Sequence, residues 1–146
     1  ALPLALEEPG QRPKILAQAL RDHDERVQRA ALADMRAKTL PESVLPVLVD
    51  HLIRSEEQAP DLRLIAVKVL ERTRSRMGRR ALLDLVDGGK SFFGRRRVAP
   101  KSPLVVEALS ILWAGWEHDD EVAPVLKAAA SSKDDEIRRV VTGENP

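Results

Sequence analysis

Cysteine is absent from this chain. That excludes a disulfide framework and any thiolate metal site, and it fits a reducing compartment, so a cytoplasmic location is expected. Tyrosine is absent too, and the aromatic residues reduce to Phe92, Phe93, Trp113 and Trp116. Threonine is confined to Thr39, Thr73 and Thr142. All-β domains draw on aromatics and threonine, so these shortages argue against a sandwich or barrel. No apolar run approaches the roughly 18 residues needed to span a bilayer. The start, Ala1 to Leu6, is too short for a secretory signal and lacks a basic n-region. The first residue is not methionine, so a processed chain or a piece of a longer one is expected. Neither sign of charge dominates: the net charge is +1 with 32% charged residues. Such balance argues against general coating of nucleic acid.

What is present is leucine, valine, isoleucine and alanine, in a chain of 146 residues, the size of one ordinary domain. These residues pack well between helices, and punctuation alternates with helical runs along the chain. Residues 1–12 contain Pro3, Pro9 and Gly10 and are expected to form a lead-in or the remnant of a preceding repeat. Pro13 opens a run with Ile15, Leu16, Ala19 and Leu20 at helical spacing. Asp24 is placed to cap a second helix carrying Val27, Ala30, Ala31 and Met35. Pro41 restarts the pattern into Val44, Leu45, Leu48, Val49 and Leu52. After a polar turn, Leu62 to Leu70 is apolar around much of its circumference, as in a helix buried on two sides. Ser75 is expected to cap a helix through Val86, stopped by Gly88-Gly89. A connection from Lys90 to Lys101 follows, and then Ser102-Pro103 opens a helix through Trp113. Asp119-Asp120 and Asp134 or Asp135 are expected to start two more, ended by Gly143 and Pro146. The result is about eight helices in four pairs, with no segment of sustained strand alternation.

The second helix of each pair fits one frame: a branched apolar residue, Ala or Val four later, a large apolar residue eight later. Val27-Ala31-Met35, Leu62-Ala66-Leu70 and Leu104-Ala108-Leu112 fit it, and Ile137 and Val141 begin it again. The steps are 35, 42 and 33 residues, and the longest contains the Lys90–Lys101 connection. The first helices agree independently through Val44-Leu45-Pro46-Val47-Leu48 and Val122-Ala123-Pro124-Val125-Leu126. If Ser43 and Asp120 are caps, both prolines fall in the first turn, whose N–H groups lack intrahelical partners. If the helix begins earlier, Pro46 kinks it. With these features the chain resembles the HEAT-repeat family over about residues 13 to 142. Pro46 and Pro124 match the family's proline, Asp24 and Asp134 its aspartate, and Arg63 and Arg138 its arginine. Gln28 and Val105 depart from the arginine, and Ala59 and Lys101 from the aspartate. The resemblance implies an all-α, short right-handed α-solenoid of about four hairpins. Their expected bounds are 13–38, 41–73, 75–116 with the insertion 90–101, and 119–142, followed by a tail at 143–146. Stacked hairpins bury a core that none buries alone, and a part of a larger repeat protein is expected.

Between Lys90 and Lys101 lie five cations, no acid and both phenylalanines. Long helix connections with large apolar residues commonly serve contact. Lys90, Phe92, Phe93, Arg95, Arg96, Arg97 and Lys101 are therefore expected to dock an acidic protein surface, a phosphate-bearing ligand or nucleic acid. The competing expectation tucks Phe92 and Phe93 under the stack with the arginines solvated. Arg76, Arg79 and Arg80 could extend the basic face. Trp113 and Trp116 could stack on a base, or be core. Gly89-Lys90-Ser91 fails as a phosphate-binding loop, because Asp84 stands where that motif needs glycine and no strand is expected before it. His23, His51 and His118 lie in inter-helix turns or far apart, and no metal site, cofactor or catalytic group is expected. The expected function is a non-catalytic scaffold or adaptor for a protein partner with an acidic surface. The alternatives are nucleic-acid binding through Arg95 to Arg97 with Trp113 or Trp116, and a lyase-like or chaperone role that the residues do not favour.

Overall fold

The computed structural model describes residues 10–143. The part of the expected lead-in up to Pro9, and the tail from Glu144 to Pro146, lie outside the described residues. The chain is mostly helical and divides into two compact units, 1–78 and 79–146.

In the first unit, α1 (Arg12–Leu20) and α2 (Glu25–Ala37) form a hairpin. Arg12, expected in the lead-in, is already helical. The Asp24 carboxylate accepts the Arg26 N–H at 2.9 Å and caps α2. The next helical segment is irregular: a 3-10 turn Glu42–Val44, α3 (Leu45–Val47) and a π turn Leu48–Ile53. Ser43 lies inside the 3-10 turn and caps nothing, so the first of the two placements of Pro46 is not adopted. Pro46 has no N–H to continue the ladder behind it, and the chain beyond it widens into the π turn, where the Arg54 N–H donates to the Val49 carbonyl at 2.9 Å. The wider turn draws residues four apart toward one line. Leu48, Val49, Leu52 and Ile53 are accordingly all buried. α4 (Pro60–Val69), continued by a 3-10 turn Leu70–Arg72, completes the unit and packs against α2 and the π turn.

The second unit takes in α5 (Arg76–Val86) from Arg79 onward, then β1 (Asp87–Lys90), β2 (Arg96–Val98), α6 (Pro103–Trp116), α7 (Val122–Ala130) and α8 (Asp135–Thr142). Ser75 caps α5 through the Met77 N–H at 3.1 Å, and Ser102 caps α6 through the Val105 N–H at 3.2 Å. Asp119, not Asp120, supplies the carboxylate before α7, accepting from the Glu121 and Val122 N–H groups at 2.9 and 3.2 Å. Pro124 falls in the first turn, where a missing N–H is harmless. Asp134 is the cap of α8, with the Glu136 and Ile137 N–H groups at 2.9 and 3.1 Å. α6, α7 and α8 pack on one another around Val105, Ala108, Leu109, Leu112, Val125, Ala129 and Ile137.

One position of the repeat frame does the same work in three hairpins. Gln28 donates to the Leu20 carbonyl at 3.0 Å, Arg63 to the Ile53 carbonyl at 3.0 and 2.7 Å, and Arg138 to the Ser132 carbonyl at 3.0 Å. Each reaches back from the second helix to a carbonyl at or beyond the end of the preceding helical segment, where the helix leaves acceptors without partners. The frame's inward positions are buried, with two exceptions. Val27 and Leu104 are only half-buried.

Candidate binding cleft

The connection expected as a loop over Lys90–Lys101 is largely a β-hairpin. Its strands have four and three residues, too short for alternation to register in the sequence. Gly88 and Gly89 end the helix as expected but do more. The register pairs Asp87 with Val98 and Lys90 with Arg96, so three steps along β1 match two along β2. The extra residue makes a bulge. Gly89 takes a left-handed φ of 83°, and a Cβ on Gly88 would stand 2.6 Å from the Val98 carbonyl oxygen.

Ser91 closes the turn: its N–H donates to the Arg95 carbonyl at 2.6 Å, its hydroxyl accepts the Arg95 N–H at 3.1 Å, and its carbonyl accepts the Gly94 N–H at 2.9 Å. Phe92 and Phe93 are thereby held at the tip, 99% and 85% exposed, with ring centroids 5.5 Å apart edge to face. The expectation that they tuck under the helices is overturned. The turn of four residues leaves their side chains no wall to lie against.

β2 packs beside α7, and between them lies an open cleft of about 980 Å³. One wall is Ser91, Arg95, Arg96, Arg97 and Val98. The other is Pro124, Lys127 and Ala128 on α7, with Ser131, Ser132 and Lys133 beyond it. The α7 residues recur at helical spacing and form one face, while Val122, Val125, Leu126 and Ala129 are buried on the other. Five cations line the cleft. Arg96 is paired with Asp87 at 3.0 Å. Among the described residues, Arg95, Arg97, Lys127 and Lys133 have no carboxylate at ion-pair distance. Four like charges around a partly desolvated hollow make a strongly positive field.

The other expected site residues are dispersed. Lys101 bonds Asp134 and Glu136, both at 3.2 Å, which raises its pKa above the ordinary lysine value. Asp134 is held below the usual carboxylate range by the Ile137 N–H and then by Lys101. Arg79 pairs with Asp119 and Glu121 at 3.3 Å, and Arg80 with Glu121 and with Asp84 at 3.8 Å. Carboxylates therefore neutralise two of the three cations expected to extend the basic face. Arg76 is exposed in the first unit. Trp113 is half-buried against Gly143, whose φ of 71° ends α8, and neither Trp113 nor Trp116 lines the cleft. His118 is exposed beside Glu117. His23 and His51, distant in sequence, line one hollow of about 360 Å³ with Asp22, Asp50 and Glu57. Among the described residues, no three His, Cys, Asp or Glu side chains are placed to hold a metal ion.

Sequence reasoning missed Lys127, Lys133, Ser131 and Ser132. Lys127 and Ser131 are spaced as one face with Pro124, but nothing in the sequence says that the hairpin folds onto that face. No helix among the described residues is long and apolar enough to cross a membrane. What is defined is a class: a mostly helical chain with an open cationic cleft walled by a hairpin and a helix. Comparison with protein-family models, curated proteins and solved structures gives no match to this chain.

Proposed function

We propose that this chain is a non-catalytic interaction module that holds an acidic segment of a protein partner in the cleft between β2 and α7. The observation that carries the reading is the set of four cations without carboxylate partners, gathered beside two fully presented phenylalanines. Charge complementarity selects an acidic partner and speeds its encounter. Exposed aromatics supply the apolar anchor that interfaces concentrate at their centre. The hairpins are proposed to be HEAT-like repeats of a short right-handed α-solenoid acting as a cytoplasmic scaffold or adaptor. That architecture is supported by the shared frame and by the common tie made by Gln28, Arg63 and Arg138. Nucleic-acid binding is less favoured, because the tryptophans that would stack on bases stand apart from the cations.

The test is fluorescence anisotropy with a labelled glutamate-rich peptide and, separately, a labelled DNA duplex. The intact chain binds the peptide, and replacing Arg95, Arg97, Lys127 and Lys133 by glutamate abolishes that binding while the thermal midpoint is kept. Tighter binding to the duplex, with affinity falling steeply as salt rises, would overturn the reading in favour of nucleic acid.

A further inference from the structure

Ser91 and Arg95 line the cleft, but the two rings between them do not. A segment lying in the cleft therefore reaches Phe92 and Phe93 from one side and leaves most of their surface, 99% and 85% exposed, in water. A Cβ on Gly94, the next residue, would meet nothing within 4 Å beyond its chain neighbours, so the turn stands clear of the body. The turn is nevertheless held in place. Ser91 closes it, Asp87 pairs with Arg96, the Ala99 N–H donates to the Val86 carbonyl at 2.7 Å, and β2 packs on α7. The rings meet edge to face and form one apolar wedge on a preorganised support. The charge around the wedge has one sign. No acid occurs in the chain between Asp87 and Glu107. Lys90, Arg95 and Arg97 are exposed, and none has a carboxylate at ion-pair distance among the described residues.

We infer that the hairpin tip docks on the surface of an anionic phospholipid bilayer, a contact beyond the acidic segment proposed for the cleft. Phe92 and Phe93 enter the boundary between headgroups and acyl chains. Lys90, Arg95 and Arg97 meet the headgroup phosphates, as basic residues beside anionic leaflets do. A wedge open on several sides needs no matching pocket when the surface it enters is fluid and closes around it. The dimensions agree. Phe92 lies two residues beyond Lys90, about 7 Å of chain at roughly 3.3 Å per residue, and the apolar side of interfacial segments sinks about 5–10 Å below the headgroups. Neither part suffices alone, because stable attachment takes an apolar anchor together with a basic patch. This hairpin carries both. The contact is peripheral, and no element crosses the bilayer. Lys127 and Lys133, on the other wall of the cleft, are left for the acidic segment.

The experiment sediments the intact chain with vesicles of phosphatidylcholine alone and of phosphatidylcholine mixed with an equal part of phosphatidylserine. The chain pellets with the mixed vesicles and stays in solution with the neutral ones. Phe92→Ser with Phe93→Ser lowers affinity for the mixed vesicles about tenfold or more, with the thermal midpoint kept. Phe92→Trp with Phe93→Trp retains it, since tryptophan suits the membrane interface. Lys90→Glu with Arg95→Glu loses it. Undiminished binding by the serine variant means adsorption by charge alone and overturns the docking tip, as does equal binding to neutral vesicles or binding to neither. Anisotropy with the glutamate-rich peptide on the same preparations separates the two readings. Peptide binding without vesicle binding overturns the tip and leaves the acidic-partner module standing. Vesicle binding that needs the rings, without peptide binding, upholds the tip and overturns the module.

Discussion

Replacing Gln28 by methionine keeps the length of the side chain and removes its donor. Among the described residues, Gln28 is the buried polar side chain of the core, 4% exposed. Its amide takes the one carbonyl at the end of α1 that the backbone leaves over. The Ala17 and Gln18 carbonyls accept from the Arg21 N–H and the Ala19 carbonyl from the Asp22 N–H, while the Leu20 carbonyl accepts from Gln28 at 3.0 Å. Leu20 itself has no exposure, so water does not replace the lost donor. An acceptor stranded in this way costs about 1–3 kcal/mol, and the extra apolar surface of methionine offsets part of that. A net loss of about 1–2 kcal/mol, with a urea dependence of roughly 1–3 kcal/mol per molar, lowers the unfolding midpoint by about 1 M. Circular dichroism in urea reads this directly. Gln28→Arg keeps most of the stability, because Arg63 and Arg138 make the same tie from the same frame position. Arg36→Met, on an exposed site, shifts stability by less than about 0.5 kcal/mol. The reasoning fails if the methionine variant matches the unaltered chain, or if arginine at position 28 is as damaging as methionine.

Replacing Phe92 and Phe93 by serine leaves the thermal midpoint unchanged, since both rings are exposed, and weakens binding of the glutamate-rich peptide; a lowered midpoint would mean the rings support the fold. Gly88→Ala forces a methyl group against the Val98 carbonyl at 2.6 Å; backbone does not yield as a side chain does, so hydrogen exchange at the Ser91 and Ala99 amides speeds up, and unchanged protection there would refute the close approach. Asp24, Asp61 and Asp134 titrate below the ordinary aspartate value of 3.8, through the Arg26 guanidinium, the Arg29 guanidinium, and the Ile137 N–H with Lys101. A carboxylate depressed in the folded state contributes stability that is complete above its unfolded pKa and lost as pH falls through the folded one. Urea midpoints therefore hold steady down to about pH 4 and fall below it, less steeply in Asp134→Asn; a fall already beginning near pH 6 would contradict this.

The helices were legible because their signals are local. Caps, helix-opening prolines and the apolar frame depend on residues within a turn or two of one another: Asp24 and Ser75 cap where expected, Ser102 caps the helix that Ser102-Pro103 was expected to open, and Asp134 is the one of the two expected aspartates that caps α8. The choice of Asp119 over Asp120 turned on one residue of register, which two adjacent aspartates leave open. The π turn was not legible, since Leu48, Val49, Leu52 and Ile53 fit one face of an ordinary helix as well. The basic segment was visible as composition, but its form was not. Two strands of four and three residues carry no periodicity, and paired glycines indicate a stop as readily as a bulge. The far wall of the cleft was hidden for a different reason. Lys127 and Lys133 acquire meaning only when β2 packs beside α7, a tertiary fact that no spacing within α7 encodes.

Two adjacent arginines separate a charge paired within the fold from one that meets no carboxylate among the described residues. Arg96 lies 3.0 Å from Asp87, and both side chains are about one third exposed. Glutamate at position 96 removes an exposed ion pair and sets two carboxylates together, a change of about 1 kcal/mol against the hairpin. Arg97 has no carboxylate partner and makes only a long contact of 3.5 Å to the Lys90 carbonyl. Its neighbours in the cleft are cations. Glutamate at position 97 relieves like-charge repulsion, so stability stays level or rises by a few tenths of a kcal/mol. Both reversals weaken binding of an acidic peptide by about tenfold or more. Arg96→Glu thus lowers stability and binding together, whereas Arg97→Glu lowers binding alone. Urea unfolding beside peptide anisotropy distinguishes the two patterns. If both variants lose stability equally, the arginines are structural alike. If Arg97→Glu binds the peptide as well as the unaltered chain, the cleft is not where acidic segments are held. Among the described residues Asp87 stands beside Arg96 and no carboxylate stands beside Arg97, a contrast that fits the acidic partner proposed above.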